Sequence, residues 1–218
     1  MSTNLGQHAR PGATPWNRGH RNPTEILSAS EIAKLLNQCS KRSGSGLRNR
    51  ALIICLWRGG LRIAEALALT IEDVDLDRAT LHVRHGKGNK RRFVAIDPGA
   101  VSVLRTYIKA RNLFPTVAAS PYMFCTRRGR PLSTGYARNL LKLLSTKAGL
   151  EKRIHPHALR HSFAVELLYE GLPLNMIQAQ LGHSNLAVTS TYLAHVSSRD
   201  LNAAMARRTV PAAVATVL

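Results

Sequence analysis

Residues 155–171 read HPHALRHSFAVELLYEG, and their pattern predicts a helix over 157–171. His157 and Arg160 are three positions apart, and His157 and His161 are four positions apart. Side chains at these spacings share one face of a helix. The stretch therefore places two imidazoles and one guanidinium together on a single helix face.

Two kinds of site fit this helix face. The spacing of His157 and His161 permits a metal site, although the glutamate of the HExxH zinc motif is absent, since position 158 is alanine. In the second interpretation Arg160 and His157 bind one phosphate, because a planar guanidinium matches phosphate oxygens and an imidazole donates or relays a proton. The charge balance of the chain favours the phosphate.

The chain as a whole is strongly basic. Its 218 residues carry 31 Lys+Arg against 12 Asp+Glu, a formal net charge of +19, and its pI is about 11.2. Hydrophobic residues make up 44%, so we expect a folded domain rather than a disordered basic tail. Such a surplus of positive charge repels itself unless a polyanion neutralises it. Nucleic acid is the first candidate, and an anionic membrane surface is the second.

A membrane partner is the weaker of these two. No apolar run approaches the roughly 20 residues that span a bilayer, and the first residues lack the apolar core of a signal peptide. We therefore expect an intracellular, soluble protein. Cys39, Cys55 and Cys125 are odd in number and widely spaced, which argues against a disulfide framework or a cysteine zinc site and predicts reduced thiols.

The rest of the chain predicts an α+β fold that is mostly helical, with one small antiparallel sheet. Ser28 and Glu31 match a capping box and predict the first helix start. Helices are predicted over residues 32–38, 47–58, 62–69, 98–111, 134–148, 157–171, 173–181, 187–194 and 199–207. Period-two patterns predict strands over 71–77, 80–84 and 91–96, with a strand remnant at 122–125.

Composition divides the chain into three parts. Residues 1–24 are rich in Gly, Pro, Asn and Arg and predict a flexible basic arm. Residues 25–207 predict one folded domain. Residues 208–218 form an apolar C-terminal tail.

Two further segments carry candidate residues. Arg62 follows a Gly-Gly turn at a predicted helix start, where backbone N–H groups favour an anion; the alternative is a surface arginine paired with Glu65 or Glu72. Residues 85–92 read HGKGNKRR, which is not a Walker A loop. This turn is either a solvated hairpin or a basic tip that places Lys87 near a phosphate.

In chain order the motifs are GLRIAEAL (60–67), HGKGNKRRFVAI (85–96), HPHALRHSFA (155–164) and LGHSNLAVTSTYLAHV (181–196). Together they resemble the catalytic domain of the tyrosine recombinase, or phage integrase, family, and within it the Xer-type bacterial recombinases. The resemblance covers about residues 25–201. It implies a site-specific recombinase that cuts and rejoins DNA through a covalent 3′-phosphotyrosyl intermediate.

The resemblance implies six catalytic residues, namely Arg62, Lys87, His157, Arg160, His183 and Tyr192. Arg62 and Arg160 would clamp the phosphate, and His183 would hydrogen-bond a non-bridging oxygen. An acidic residue at the position of Glu65 often buttresses the site in this family.

The remaining implied roles concern the nucleophile and its protons. Tyr192 would attack the phosphorus, His157 would assist proton transfer at the nucleophile, and Lys87 would protonate the departing 5′-oxygen. We expect no metal and no cofactor, because two arginines and a histidine can stabilise the transition-state charge and the phosphotyrosine conserves the bond energy. The clustered positive charge is expected to lower the pKa of Tyr192 from about 10.

Double-stranded DNA is the expected partner. Six basic residues are expected to contact it, namely Lys90, Arg91, Arg92, Arg127, Arg128 and Arg130. The resemblance also implies a homo-tetramer on DNA, assembled through the C-terminal segment, a possible accessory recombinase, and a cytoplasmic, nucleoid-associated location in a bacterium.

One departure from the family keeps alternatives open. Most members carry an N-terminal helical domain before the catalytic one, and here about 24 irregular residues precede the first predicted helix. The chain could then be a non-catalytic or partner-dependent DNA-binding remnant of a recombinase. A third possibility is DNA relaxation of the type IB topoisomerase kind, which uses the same chemistry.

Overall fold

The computed structural model describes residues 25–86, 90–183 and 189–192. Within these residues the fold is α+β and mostly helical, with one small antiparallel sheet, as predicted. The helices are α1 Ala29–Asn37, α2 Gly44–Trp57, α3 Ile63–Ala68, α4 Pro98–Asn112, α5 Pro115–Ala118, α6 Thr134–Lys147, α7 Pro156–Tyr169 and α8 Leu174–Leu181. The strands are β1 Val74–Asp75, β2 Thr80–Val83 and β3 Arg92–Ala95.

Serine caps begin the first two helices. The Ser28 hydroxyl accepts from the Glu31 N–H, and the Glu31 carboxylate accepts from the Ser28 N–H, which confirms the predicted capping box. The Ser43 hydroxyl accepts from the Gly46 N–H in the same manner. Helix α2 therefore begins three residues earlier than predicted, because the Ser/Gly-rich break supplies a helix cap.

Helix α2 is the centre of the core. It packs against α4 and α7, and its buried residues point in every direction around the helix axis. A helix that is apolar on all sides belongs inside a protein rather than on its surface. The central position of α2 matters for function because the chain leaves its C-terminal end at Gly59 and Gly60, where the candidate site lies.

The sheet has the strand order β1-β2-β3, and Leu81 on β2 pairs with Val74 and Val94 on either side. The side chains of Leu81 and Val94 are buried on the core face. His82 and Phe93 stack on the opposite face, with ring centroids 4.7 Å apart. The sheet is therefore one layer laid against the helices.

The first predicted strand is too long. Residues 71–73 form a short 3₁₀ turn instead of extended chain, because the Asp73 carboxylate accepts from both the N–H and the hydroxyl of Thr70. Residues 122–125 are not a strand either. Tyr122 makes an isolated bridge with Thr70, and Cys125 makes another with Pro131.

The three cysteines are buried and free, so the prediction of reduced thiols is confirmed. Burial raises the pKa of the Cys55 thiol to about 12, which makes it a packing residue rather than a nucleophile. In the described part of the chain, no helix is long and apolar enough to cross a bilayer. The predicted N-terminal arm, the helix over 199–207 and the C-terminal tail lie outside the described residues.

Candidate active site

The site begins at the turn that ends α2. Gly60 has a φ of +59°, which is the left-handed conformation that glycine adopts without strain. A Cβ atom at this position would lie 2.8 Å from side-chain atoms of both Leu181 and Phe163. This tight turn buries Leu61 and makes Arg62 the N-terminal cap residue of α3.

The Arg62 guanidinium is hydrogen-bonded within the fold, yet part of the side chain is exposed to solvent. Its Nη1 donates to Glu65 Oε1 at 2.8 Å, its Nη2 donates to the Gly182 carbonyl at 3.3 Å, and 28% of its side chain is exposed. The sequence left open an ion pair of Arg62 with Glu65 or Glu72. Glu65 is the partner of Arg62, whereas Glu72 pairs with Arg84. The pair fixes the direction of a guanidinium that still faces solvent.

Glu65 is buried at the centre of three arginines. Its carboxylate also accepts from the Arg62 N–H at 2.9 Å and from both Nη atoms of Arg92 at 3.0 and 2.9 Å. The Arg160 Nη1 lies 3.9 Å away. Burial opposes ionisation, but the hydrogen bonds from Arg92 and Arg62 outweigh it and lower the pKa of Glu65 to about 2.

Arg160 is almost fully buried, with 1% of its surface exposed. Its Nη1 donates to the Gly60 carbonyl and its Nη2 to the Leu181 carbonyl, both at 2.6 Å. Its Nε has no hydrogen-bond partner among the described residues. Burial and the nearby Arg62 lower the pKa of Arg160 to about 10, so the guanidinium stays charged at neutral pH.

Three aromatic rings form a row at the start of α7. The His157 and His161 rings meet edge-on with centroids 4.1 Å apart, and His161 meets Tyr192 edge-on at 5.2 Å. His157 lies at the exposed end of the row. Desolvation and the Arg160 charge lower the pKa of His157, and burial together with His157 lowers the pKa of His161 to about 3.

His183 approaches Tyr192 from the other side. Gly182 ends α8 with a φ of +65°, and this left-handed cap directs His183 into the site. The His183 ring stacks on Tyr192 at 6.2 Å, and its Nδ1 is 2.9 Å from the Thr189 hydroxyl. Burial and Arg160 lower the pKa of His183 to about 4.

Tyr192 is 2% exposed and packs with Phe163, Leu181 and Ile177. Its pKa is raised, because burial disfavours the phenolate more than Arg160 and Arg62 favour it. The expectation of a lowered pKa is therefore wrong for this closed arrangement. The two arginines act in the expected direction, but desolvation is the larger effect.

Five of the six implied catalytic residues lie together: Arg62, His157, Arg160, His183 and Tyr192. Lys87 lies outside the described residues. Lys90 and Arg91 are exposed beside the hairpin, where the Gly86 N–H donates to the Lys90 carbonyl at 3.0 Å. Arg92 differs from these neighbours, because its side chain turns inward to Glu65 and is 12% exposed.

The basic turn at Arg127, Arg128 and Arg130 is not part of this cluster. Arg127 lines a cavity with residues at the N-terminal end of α2, and the Arg48 Nη1 donates to the Cys125 carbonyl there. Helix α2 has 14 residues, which corresponds to ~21 Å. The turn and the candidate site thus occupy opposite ends of one helix.

The sequence did not single out a basic cavity beside His157. This cavity of about 900 Å³ lies between α6 and the loop before α7. Its lining includes six cationic or imidazole side chains: Arg138, Lys142, Lys152, Arg153, His155 and His157. Such a lining suits an anion larger than a single phosphate. Among the described residues, no group of three or more His, Cys, Asp or Glu side chains is arranged to hold a metal ion.

Comparison with curated proteins gives relatives over most of the chain. The tyrosine recombinase XerC of Bacillus subtilis (strain 168) is 38% identical over 180 residues, covering 81% of this chain and 59% of the relative. XerC of Lacticaseibacillus casei (strain BL23) is 35% identical over 185 residues, covering 84% and 61%. The chain thus spans about three fifths of the length of these relatives.

Solved structures of recombinases share the fold of this chain. The crystal structure of the XerA recombinase superposes with a TM-score of 0.74 at 31% identity, covering 91% of this chain and 70% of that one. The XerH site-specific recombinase, in a post-cleavage complex with palindromic difH substrate, gives a TM-score of 0.68 at 31% identity, covering 83% and 52%. The sequence pattern of the phage integrase family matches residues 25–199. With this match over most of its length, and with Xer recombinases among its relatives, the chain belongs to the phage integrase family.

Proposed function

We propose that this chain is the catalytic domain of a site-specific tyrosine recombinase, formed by residues 25–207, which cuts and rejoins double-stranded DNA through Tyr192. The observation that carries the proposal is the convergence of two guanidinium groups and two imidazoles on one phenol, with the third imidazole, His157, against His161. Arg62 and Arg160 lie far apart in the sequence, yet the charges of both favour the ionised form of Tyr192. A phosphodiester undergoing attack needs such a set of charges and proton carriers.

The proposed step forms a bond between Tyr192 Oη and phosphorus and breaks the bond to the 5′-oxygen. The phenol proton passes to an imidazole, with His157 the proposed acceptor. Desolvation and the Arg160 charge lower the pKa of His157, so its imidazole is neutral at pH 7 and has an unprotonated nitrogen. The pKa values of about 3 and 4 make His161 and His183 weaker bases. Lys87 is proposed to supply the proton to the 5′-oxygen.

Arg62 and Arg160 have different proposed roles in stabilising the transition state. Arg62 has exposed donors that can reach a non-bridging oxygen directly. Arg160 contributes its charge from within the fold, because two of its nitrogens already bind the carbonyls of Gly60 and Leu181. His183 is proposed to donate a hydrogen bond to the second non-bridging oxygen.

The closed arrangement implies a movement before cleavage. Tyr192 is 2% exposed, so its hydroxyl cannot meet a phosphate until the ring leaves the packing against Phe163 and Leu181. Departure from this apolar site also removes the desolvation that raises the pKa of Tyr192. DNA binding and activation of the nucleophile are thereby coupled.

Double-stranded DNA is the proposed partner. The XerH relative was crystallised on its difH substrate, and this chain carries a net charge of +19. Proposed contacts outside the catalytic cluster are Lys90, Arg91, Arg127, Arg128 and Arg130. We further propose assembly as a homo-tetramer on DNA through the C-terminal segment, an accessory recombinase where the chain does not act alone, and action at the bacterial nucleoid in the cytoplasm.

The test is covalent trapping on nicked suicide substrates. A library of nicked duplexes with randomised sequence around the nick is incubated with wild type, Tyr192→Phe and Tyr169→Phe. Tyr169 is exposed on α7 and serves as the matched control. The proposal expects a covalent protein–DNA band with wild type and Tyr169→Phe and none with Tyr192→Phe.

Three results would point elsewhere. An adduct that persists in Tyr192→Phe means that Tyr192 is not the nucleophile. Tight binding without an adduct, even with a full-length recombinase added, identifies a non-catalytic DNA-binding remnant. Relaxation of supercoiled plasmid without strand exchange between duplexes identifies the topoisomerase-like activity.

A further inference from the structure

Arg92 occupies an unusual position for a residue of a basic hairpin. It shares the core face of β3 with Val94, two residues further on, while Phe93 between them is 70% exposed. Its guanidinium donates to both oxygens of Glu65, and its Nε donates to the Gln180 carbonyl at 3.4 Å. The side chain thus reaches from the sheet to α3 and to the end of α8.

Two glycines make room for this side chain. A Cβ atom at Gly182 would lie 2.8 Å from both Cδ and Nε of Arg92 and 2.9 Å from its Cζ. A Cβ atom at Gly86 would lie 3.2 Å from the Arg92 Nη1. Gly182 immediately precedes His183, and Gly86 immediately precedes Lys87. The path of Arg92 is therefore lined by the backbone of two segments that carry implied catalytic residues.

Glu65 connects Arg92 to a third such segment. The same carboxylate that accepts two hydrogen bonds from Arg92 also accepts from the backbone N–H and from Nη1 of Arg62. Without Arg92, Glu65 would keep Arg62 but lose the partner that fixes its plane. A carboxylate free to rotate would no longer hold the Arg62 guanidinium in one direction.

We propose that Arg92 is a positioning residue, which clamps Glu65 and thereby Arg62 while it ties strand β3 to the Gly182–His183 turn. The inference rests on the proposed function, because the segments it joins are those proposed to activate the phosphate. Arg92 does not contact DNA in this proposal, in contrast to Lys90 and Arg91. Lysine at position 92 should not replace arginine in this role, since lysine is a point charge and cannot donate two parallel hydrogen bonds to one carboxylate.

The first experiment separates positioning from DNA contact. Single-turnover adduct formation at saturating nicked DNA and the dissociation constant for the same DNA are measured for wild type, Arg92→Met and Arg92→Lys. We expect the rate to fall about 10- to 100-fold, because misplacement of a catalytic group by about 1 Å has an effect of that order. The dissociation constant should change less than about threefold, since only 12% of the side chain is exposed and its guanidinium binds Glu65.

The control is Arg105→Met. Arg105 forms an exposed pair with Asp77 on another part of the surface, with 49% and 94% of their side chains exposed. Its loss should leave both the rate and the affinity unchanged. Arg92→Lys keeps the positive charge and provides the comparison if Arg92→Met fails to fold, as judged by circular dichroism.

A double-mutant cycle tests whether Arg92 acts through Glu65. The rate loss on Arg92→Met is measured in the wild-type background and in the Glu65→Gln background. If Arg92 works by holding Glu65, Arg92→Met should lower the rate less than about threefold in the Glu65→Gln background. The effects of two changes in one hydrogen-bond network on the rate are not independent. Equal losses in both backgrounds would overturn the proposal.

A DNA-independent measurement keeps this inference separate from the proposed function. The charged groups that face the Glu65 carboxylate in the described residues are Arg62, Arg92 and Arg160. The Glu65 carboxyl carbon is titrated by NMR in wild type and Arg92→Met, and the pKa is expected to rise from about 2 when Arg92 is removed.

The outcomes are distinct. If wild type forms no adduct with any DNA, the proposed function fails, and the titration alone tests whether Arg92 holds Glu65. An unchanged pKa of Glu65 in Arg92→Met overturns the proposed role of Arg92, whatever the rate of adduct formation. An unchanged rate at saturating DNA together with a dissociation constant raised tenfold or more would instead make Arg92 a DNA contact.

Discussion

The imidazole of His161 stands edge-on to the phenol of Tyr192, with ring centroids 5.2 Å apart and an interplanar angle of 72°. The sequence suggested His161 only as a zinc ligand beside His157. In the fold it separates His157 from Tyr192 within one row of rings. Burial disfavours a charge on His161, and His157 and Arg160 disfavour it further, so the pKa of His161 falls to about 3.

The buried histidines predict a loss of stability in mild acid. His161 and His183 have pKa values of about 3 and 4 in the folded protein, against about 6.5 for an unperturbed histidine. Through these two residues the unfolded chain therefore binds about one more proton than the folded chain at pH 6.5 and nearly two more at pH 5. The stability they contribute is fully present above pH 6.5 and falls as the pH drops, by about 1.4 kcal/mol per pH unit for each proton.

Urea unfolding at several pH values between 5 and 7 measures this slope. His161→Gln removes one of the two protons, so its slope should be smaller by about 1.4 kcal/mol per pH unit. A slope in His161→Gln equal to that of wild type would show that His161 is protonated at pH 5 as fully in the folded chain as in the unfolded one. The ring contacts with His157 and Tyr192 would then have to be those of an imidazolium.

The turn after α2 predicts a difference between two glycines of similar conformation. Gly60 and Gly149 have φ values of +59° and +62°. A Cβ atom at Gly60 would press on the buried side chains of Leu181 and Phe163, whereas one at Gly149 would meet nothing within 4 Å. Gly60→Ala should therefore lower the free energy of unfolding by about 3 kcal/mol, and Gly149→Ala by about 1 kcal/mol.

Urea denaturation of the two variants tests this prediction. Gly60→Ala should also slow adduct formation, because the Gly60 carbonyl is a ligand of Arg160. Gly149→Ala is the control for left-handed backbone strain alone and should leave the adduct rate unchanged. Equal destabilisation by the two changes would mean that the side chains of Leu181 and Phe163 move away from the new Cβ atom at little cost in free energy.

Much of this site could be predicted because short motifs mark residues that the fold must bring together. Helical spacing gives the shared face of His157 and Arg160, and the Gly-Gly turn predicts Arg62 at a helix start. Period-two alternation would also have placed Arg92 on the core face with Val94, but the basic run around it favoured a DNA contact.

Two other features differ from the prediction, one through a local contact and one through tertiary packing. The 3₁₀ turn at residues 71–73 forms because Thr70 and Asp73 bind one another, although the local pattern is that of a strand. The raised pKa of Tyr192 results from its burial against residues far away in sequence. The spacing of Thr70 and Asp73 is visible in the sequence as a capping pattern, whereas the burial of Tyr192 is not.

The two clamp arginines should respond differently to substitution. Arg160→Met leaves the carbonyls of Gly60 and Leu181 without their donor inside the fold, and we expect a loss of about 2 kcal/mol in the free energy of unfolding. Arg62→Met removes a side chain that is 28% exposed while Glu65 keeps Arg92, so the loss should be below about 1 kcal/mol.

Both Arg160→Met and Arg62→Met should lose adduct formation on nicked DNA. The two variants should therefore differ in the free energy of unfolding but not in activity. Thermal or urea unfolding gives the first quantity, and covalent trapping gives the second. Full cleavage by Arg160→Met would remove it from the proposed clamp. A large loss of stability in Arg62→Met would mean that its pair with Glu65 holds the fold rather than the phosphate.

The distance between the two basic regions predicts the extent of the DNA footprint. The Arg127 turn and the candidate site lie at opposite ends of α2, ~21 Å apart. At 3.4 Å per base pair, a duplex running along α2 would bring the turn to phosphates about six base pairs from the cleaved one. Arg128→Ala should then reduce the slope of log K against log salt by about 0.9 and weaken protection at that distance.

Fluorescence anisotropy at several salt concentrations gives the slope, and hydroxyl-radical footprinting gives the position. Arg91→Ala should cause an equal change of slope but lose protection close to the cleaved phosphate, because Arg91 adjoins the hairpin. Arg78→Ala is the control, since Arg78 is 84% exposed in the turn between β1 and β2, outside both basic regions. If Arg128→Ala behaves like Arg78→Ala, the duplex crosses α2 instead of following it, and the turn at 127–130 lies outside the DNA-binding surface.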